Sequence, residues 1–251
     1  MQYGVAFLSV SALRESPSDT AEQVTQVLYG ELFKVVEVRK KWSRIRLYLD
    51  KYDGWLDNKQ YQFIEEEDYK RLILEKPKLV SDLVDFVQLP NKQLLPITMG
   101  SSLNSIMLLG HTFEGNAISK RLPKAKLIET ALNYLNTPYQ WGGKTPFGID
   151  CSGFTQMVYL LNGHILKRDA SLQANQGDAL SFIEESTPGD LAFFDDNEGN
   201  INHVGIIMKD HYIIHAHGHV RIDQLDQSGI FNVEKKAHTH KLRVIKRVVK
   251  R

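Results

Sequence analysis

Apolar and polar residues alternate in short runs over the first sixty positions. Leu32-Phe33-Lys34-Val35-Val36-Glu37-Val38, Trp42-Ser43-Arg44-Ile45-Arg46-Leu47-Tyr48 and Tyr52-Asp53-Gly54-Trp55-Leu56 each read as a strand. Charged turns at Arg39-Lys40-Lys41 and Leu49-Asp50-Lys51 separate them. Strands at this spacing predict a small β-barrel over residues 1–62. A weaker set, at 83–87, 94–97 and 106–110, predicts a second, divergent module of the same kind over 63–118, and 119–123 reads as a linker. The period then changes. Ala125, Ile128, Leu132 and Leu135 fall on one stripe of a helix over 124–135, ended before Pro138. Phe154, Met157, Val158 and Leu161 mark a second helix over 152–162, stopped by Asn162-Gly163. Strands follow at 190–194, 203–208, 212–217, 220–222 and 242–249. Helices followed by an antiparallel sheet predict an α+β domain over 124–251.

Composition narrows the class of partner. Hydrophobic residues make up 42% and charged residues 24%, as in ordinary globular chains. Lys+Arg 31 against Asp+Glu 30 gives no general attraction for nucleic acid or an anionic membrane. No apolar run is long enough to span a bilayer. The chain opens on Gln2-Tyr3-Gly4-Val5-Ala6, a strand pattern with no basic leader, so a cytoplasmic location is expected.

Cys151 is the only cysteine in 251 residues, which excludes an internal disulfide framework. Single cysteines are commonly small buried hydrophobes, but the surroundings of this one argue otherwise. The turn-rich Trp141-Gly142-Gly143-Lys144-Thr145-Pro146-Phe147-Gly148 precedes it and an apolar helix follows, so Cys151 stands at a helix entrance. Unpaired N–H groups and the positive end of the helix dipole favour a thiolate there and can hold an oxyanion. With histidines downstream, this points to a papain-type cysteine hydrolase. His111, His164, His238 and His240 lie in polar contexts and read as bystanders. His211, His215, His217 and His219 lack a thiol or carboxylate at ligand spacing, so no metal is expected. If 203–208 and 212–217 form a hairpin with its turn at 209–211, His215 faces Gly205, and His203 and His215 become diagonal neighbours. Val204, Ile206, Ile214 and Ala216 then line the opposite, buried face. The same parity puts His217 opposite His203, and geometry alone leaves His215 and His217 both open.

Several segments together closely resemble the NlpC-type cell-wall peptidases, papain-like enzymes that cleave γ-D-glutamyl bonds. They are Thr137-Pro138-Tyr139-Gln140-Trp141-Gly142-Gly143, Gly148-Ile149-Asp150-Cys151-Ser152-Gly153-Phe154, Arg168-Asp169-Ala170, Gly189-Asp190-Leu191, His203-Val204-Gly205-Ile206 and Ile214-His215-Ala216. Ser16-Pro17-Ser18, Thr25-Gln26-Val27-Leu28 and Tyr52-Asp53-Gly54-Trp55 resemble the bacterial SH3-like part of the branch that trims murein stem peptides. Lys167 departs from the proline common before that Arg-Asp pair. The resemblance implies one or two SH3-like barrels followed by a papain-like peptidase domain. It implies Cys151 as nucleophile, His203 as base and His215, rather than His217, as the orienting third member. It places Tyr139 by the oxyanion, its backbone N–H acting with that of Cys151. Asp150 and Ser152 would bind substrate, Asp150 taking the α-ammonium of an N-terminal L-alanine, with Tyr52 and Glu22 completing that pocket. The implied substrate is a free stem peptide, L-Ala-γ-D-Glu-diamino acid, cleaved by a monomer without cofactor to release L-Ala-D-Glu. Rival readings are an endopeptidase of assembled wall, a non-catalytic peptidoglycan-binding protein and a thiol acyltransferase acting on lipids.

Overall fold

Two units divide the chain between Lys120 and Arg121. The structure, a computed structural model, describes residues 2–196 and 198–249. In the first unit an antiparallel sheet runs in the order Gln23–Leu28, Val10–Arg14, Asp53–Asp57, Trp42–Leu47, Leu32–Val38, Gln2–Ala6, Tyr61–Ile64. Alternation is what builds it. Ile45 and Leu47 point into a core with Ala6, Leu13, Val27, Phe33, Val35, Leu56 and Tyr61. The intervening Arg44 and Arg46 point out, to Asp53 at 3.2 and 2.6 Å. The last strand pairs Ala6 with Tyr61 and Tyr3 with Ile64, so this sheet continues past residue 62.

Residues 66–110 depart from expectation in two places. Glu66–Leu72 is a helix, not a strand region, with Glu66, Glu67 and Asp68 in its first turn and Lys70 and Arg71 in its last, as the helix dipole favours. It is anchored by Tyr69, whose ring stacks on Tyr3 at 4.2 Å. Val84–Gln88 and Leu94–Thr98 do pair as a hairpin, whereas 106–110 forms turns. Ile106 and Leu109 instead lie against a second core of Tyr29, Val80, Val87, Ile97 and Leu103. An apolar run can therefore pack part of its side chains here without forming a ladder.

The second unit holds the sheet Asp178–Leu180, Ala237–Arg247, Leu191–Asp195, Ile201–Ile207, Tyr212–His217, His219–Leu225, Gly229–Asn232. The strand at the far end, Gly229–Asn232, also pairs with Ala237–Arg247, so the sheet closes on itself. Helix Cys151–Leu161 is buried along its whole length and packs on Ile201–Ile207, Tyr212–His217 and helix Lys126–Leu132. In that last helix the buried stripe is Leu127 and Ala131, continued by Tyr134. Leu132 and Leu135 are exposed, against expectation. The ring of Tyr134, edge-on to Phe154 at 5.9 Å, fixes which side turns inward. Among the described residues no helix is long and apolar enough to cross a membrane.

Asp190 ties the ends of this unit together. Its buried carboxylate takes the Lys124 ammonium, the Arg247 guanidinium at 2.9 Å and the Thr187 N–H at 2.9 Å. Burial works against its charge, but the Arg247 and Lys124 hydrogen bonds prevail and hold its carboxyl below the usual range. A lowered folded-state pKa adds stability above the ordinary carboxylate pKa, lost as pH falls through the folded value. Asp190→Asn is therefore expected to lower stability at neutral pH by about 3–5 kcal/mol. In urea titrations at several pH values, the gap to wild type should close on acidification.

Candidate active site

Cys151 is the first residue of its helix, and Asp150 is the N-cap in extended conformation. The Asp150 carboxylate accepts the Gly153 N–H at 2.6 Å and the Gly142 N–H at 2.8 Å. The Arg168 fork lies on it at 3.0 and 2.5 Å, with both side chains buried. Arg168 also donates to Ser152 Oγ at 2.9 Å. A Cβ on Gly153 would run into the Gly143 carbonyl, which explains a glycine two places after the thiol. Asp150 is engaged on both oxygens inside the chain, and the Ser152 hydroxyl is bound into the same Arg168 contact. They shape and hold the nucleophile turn. Lys167, where proline was expected, donates its N–H to Gln176 at 2.8 Å, a bond proline cannot make.

Strands Ile201–Ile207 and Tyr212–His217 pair with Gly205 opposite His215, Ile206 opposite Ile214 and Ile207 opposite Ile213. This is the register the alternation predicts, and Val204, Ile206, Ile214 and Ala216 are fully buried. The diagonal follows: His203 Nε2 and His215 Nδ1 are 2.8 Å apart, both side chains buried. A Cβ at Gly205 would stand 2.7 Å from Ile213 Cδ1 and 2.9 Å from His215 Cβ, so only glycine leaves that ring its place. The thiol meets the same strand, with Cys151 Sγ 3.9 Å from the Asn202 carbonyl. His203 thus has one ring nitrogen on His215 and keeps Nδ1 for another partner.

Sequence reasoning missed two residues here. Asp223 lies 3.0 Å from His215 Nε2, fixed by Arg221 at 2.7 and 3.1 Å. It is the next diagonal along the sheet, since His215 pairs with Arg221 and Ile213 with Asp223. The signal was the reversal at Gly218, which sets that register. His240, read as a bystander, stacks on His203 at 4.2 Å. His217 stands further out, 6.4 Å from His203 between ring centres. The other bystanders have partners of their own: His111 bonds Tyr29, His164 Arg121 and His238 Asp226. Among the described residues no group of three or more His, Cys, Asp or Glu side chains is arranged to hold a metal ion.

Tyr139 is present in an altered role. Its N–H donates to the Gly218 carbonyl at 2.9 Å, so that amide is not available to an oxyanion. Burial, reinforced by Cys151 and Asp150, pushes its phenol pKa up, and the protonated O–H beside the thiol is the donor it can offer. Tyr52 and Glu22 belong to the first unit. Tyr52 packs against the barrel core, and the Glu22 carbonyl accepts the Glu15 N–H at 3.0 Å.

Electrostatics favour a neutral resting pair. Burial, then Asp150, pushes the Cys151 thiol up to about 12, against the opposing pull of the Val204 and Ser152 amides. Burial, then His215, His240 and His217, brings His203 well below its ordinary value. The helix entrance alone therefore does not ionise the sulfur.

Residues 136–239 match the NlpC/P60 family, and residues 13–60 match the bacterial dipeptidyl-peptidase SH3 domain. Fold and site together define a papain-like cysteine peptidase. The chain carries an NlpC/P60 peptidase domain following a bacterial dipeptidyl-peptidase SH3 domain. It is similar to dipeptidyl-peptidase 6 of Lysinibacillus sphaericus, 25% identical over 89% of this chain and 92% of that protein. It is also similar to the γ-D-glutamyl-L-lysine dipeptidyl-peptidase of Bacillus subtilis strain 168, 28% identical over 76% of this chain and 71% of that one. The crystal structure of an NlpC/P60 family protein from Bacillus cereus shares the fold with a TM-score of 0.79 at 20% identity, over 99% of this chain and 100% of that one.

Two outcomes are expected. Iodoacetamide should inactivate the protein at a rate that climbs from about pH 6 to about pH 10 without a plateau. A plateau near neutrality would mean a preformed thiolate. Gly205→Ala should displace His215 and lower kcat by about 10²-fold or more, measured in steady-state peptide cleavage.

Proposed function

We propose that this peptidase hydrolyses the γ-D-glutamyl–diamino acid bond of free murein stem peptides and releases L-Ala-D-Glu. The observation that carries the reading is the joint presence in one chain of a dipeptidyl-peptidase type SH3 domain and a peptidase domain with a thiol at a helix entrance and a buried histidine pair. The names of the similar proteins support the same bond and the same exopeptidase mode.

In this mechanism Cys151 Sγ attacks the γ-carbonyl of D-glutamate as its proton passes to Nδ1 of His203. The oxyanion is received by the Cys151 N–H, at the open end of the helix, and by the Tyr139 hydroxyl. His203 returns the proton to the departing amine of the diamino acid. Water, deprotonated by the same imidazole, then hydrolyses the thioester. His215 keeps the His203 ring in plane with the transfer. Recycling of such peptides by a monomer in the cytoplasm is the setting this substrate would call for.

The test uses L-Ala-γ-D-Glu-meso-diaminopimelate and L-Ala-γ-D-Glu-L-Lys, each with a free or acetylated α-amine, and mass spectrometry of the products. Release of L-Ala-D-Glu from free peptides alone is expected. Equal cleavage of acetylated peptides would favour an endopeptidase of assembled wall, and cleavage of none would overturn the proposal.

A further inference from the structure

We propose that Asp223 is a positioning residue that sets the proton order of the histidine pair and so makes Nδ1 of His203 the basic nitrogen. The inference rests on the thiol-peptidase reading of the site and extends it by one residue. It follows from counting donors. The groups placed on the Asp223 carboxylate are the Arg221 Nε and Nη2, the Asn232 Nδ2 at 3.4 Å and the His215 Nε2 at 3.0 Å. Arginine and the asparagine amide nitrogen can only donate, and an ionised carboxylate can only accept. His215 must then carry its proton on Nε2. Neutral, it has a bare Nδ1, which can only accept. The partner 2.8 Å away, His203 Nε2, must be the donor. A neutral His203 with its proton on Nε2 has a bare Nδ1, the nitrogen left for the thiol.

Among the described residues, Asp223 is the carboxylate placed against this histidine pair. With the proton order reversed, His215 would donate from Nδ1 to His203 Nε2, and His203 would turn an N–H toward the sulfur instead of a lone pair. Among the described residues the other rings and charged side chains placed against the two imidazoles are Phe194, His217, His219, His240 and Arg221, none of them anionic. Asp223 is thus a buried counter-charge, reached through His215, for the imidazolium that forms when His203 takes the thiol proton. Burial opposes its ionisation, but hydrogen bonds from His215 and Arg221 bring its carboxyl down to about 2, and Arg221 is itself held by Glu234 at 3.2 Å.

Long-range 1H–15N correlation spectra of the full-length wild-type protein, without substrate, read both tautomers directly. Protons on Nε2 and bare Nδ1 are expected for His203 and His215 alike, and a proton on Nδ1 of His203 would overturn the proposal. In kinetics on the free tripeptide, Asp223→Asn should lower kcat by about 10²- to 10⁴-fold with KM changed by less than about threefold. In a His215→Asn background the amide oxygen accepts from His203 Nε2 unaided, so adding Asp223→Asn should cost less than about threefold more. Equal losses in both backgrounds, or a loss confined to KM, would show that Asp223 acts through packing. If Asp223→Asn does not fold, the wild-type spectra decide alone. A wild-type protein with the expected tautomers that cleaves no stem peptide would refute the substrate reading and leave the proton order intact.

Discussion

The pairing of Gly205 with His215 is the constraint on which the site depends. It puts the His203 and His215 rings on one face of adjacent strands, one diagonal step apart, and a slip of one residue would turn His215 to the other face. Ile214 and Ala216, fully buried on the other face of that strand, make the slip costly, because it would exchange them with the polar rings of His215 and His217. Core packing and active-site geometry are here one requirement. The same diagonal repeated toward His219–Leu225 brings in Asp223, so a row from His203 to Asp223 is laid out by sheet register alone.

The helix half of the site is built on a different principle. Asp150 and Arg168 form a buried ion pair whose carboxylate also caps the Cys151 helix and holds the Gly142 amide. That pair stiffens the turn carrying the sulfur without donating charge to it, and the nearby carboxylate disfavours a thiolate. A neutral thiol beside a neutral imidazole follows. In the proposed mechanism, reaction waits for a substrate carbonyl that draws the sulfur forward as the proton moves, so no resting thiolate is exposed to adventitious oxidation.

Much of this was legible in the sequence because it is periodic. The Trp42–Leu47 and Ile201–Ile207 strands, the hairpin register and the helix starting at Cys151 all follow from alternation or 3.6-residue spacing. What was not legible depends on partners remote in the chain. The stripe of helix Lys126–Leu132 is set by Phe154 through Tyr134. The turns at 106–110 are held by Ile106 and Leu109, which lie partly buried against a core containing Tyr29. The Arg168 fork on Asp150 has no signal in the sequence, and the Tyr139 amide reads as an oxyanion donor until Gly218 takes it. His240 carries no local signal and Asp223 only the reversal at Gly218, since each reaches the site through strand pairing far from Cys151.

The most direct test of the thiol mechanism is to trap its covalent intermediate. Acid-quenched mixtures of protein and free tripeptide, taken within the first turnover, would be weighed intact and then mapped by proteolysis. A transient mass increase equal to the L-Ala-D-Glu acyl group, located on Cys151 and absent in Cys151→Ala, is the predicted result. Turnover with no acylated protein, or acylation elsewhere in the chain, would contradict the account.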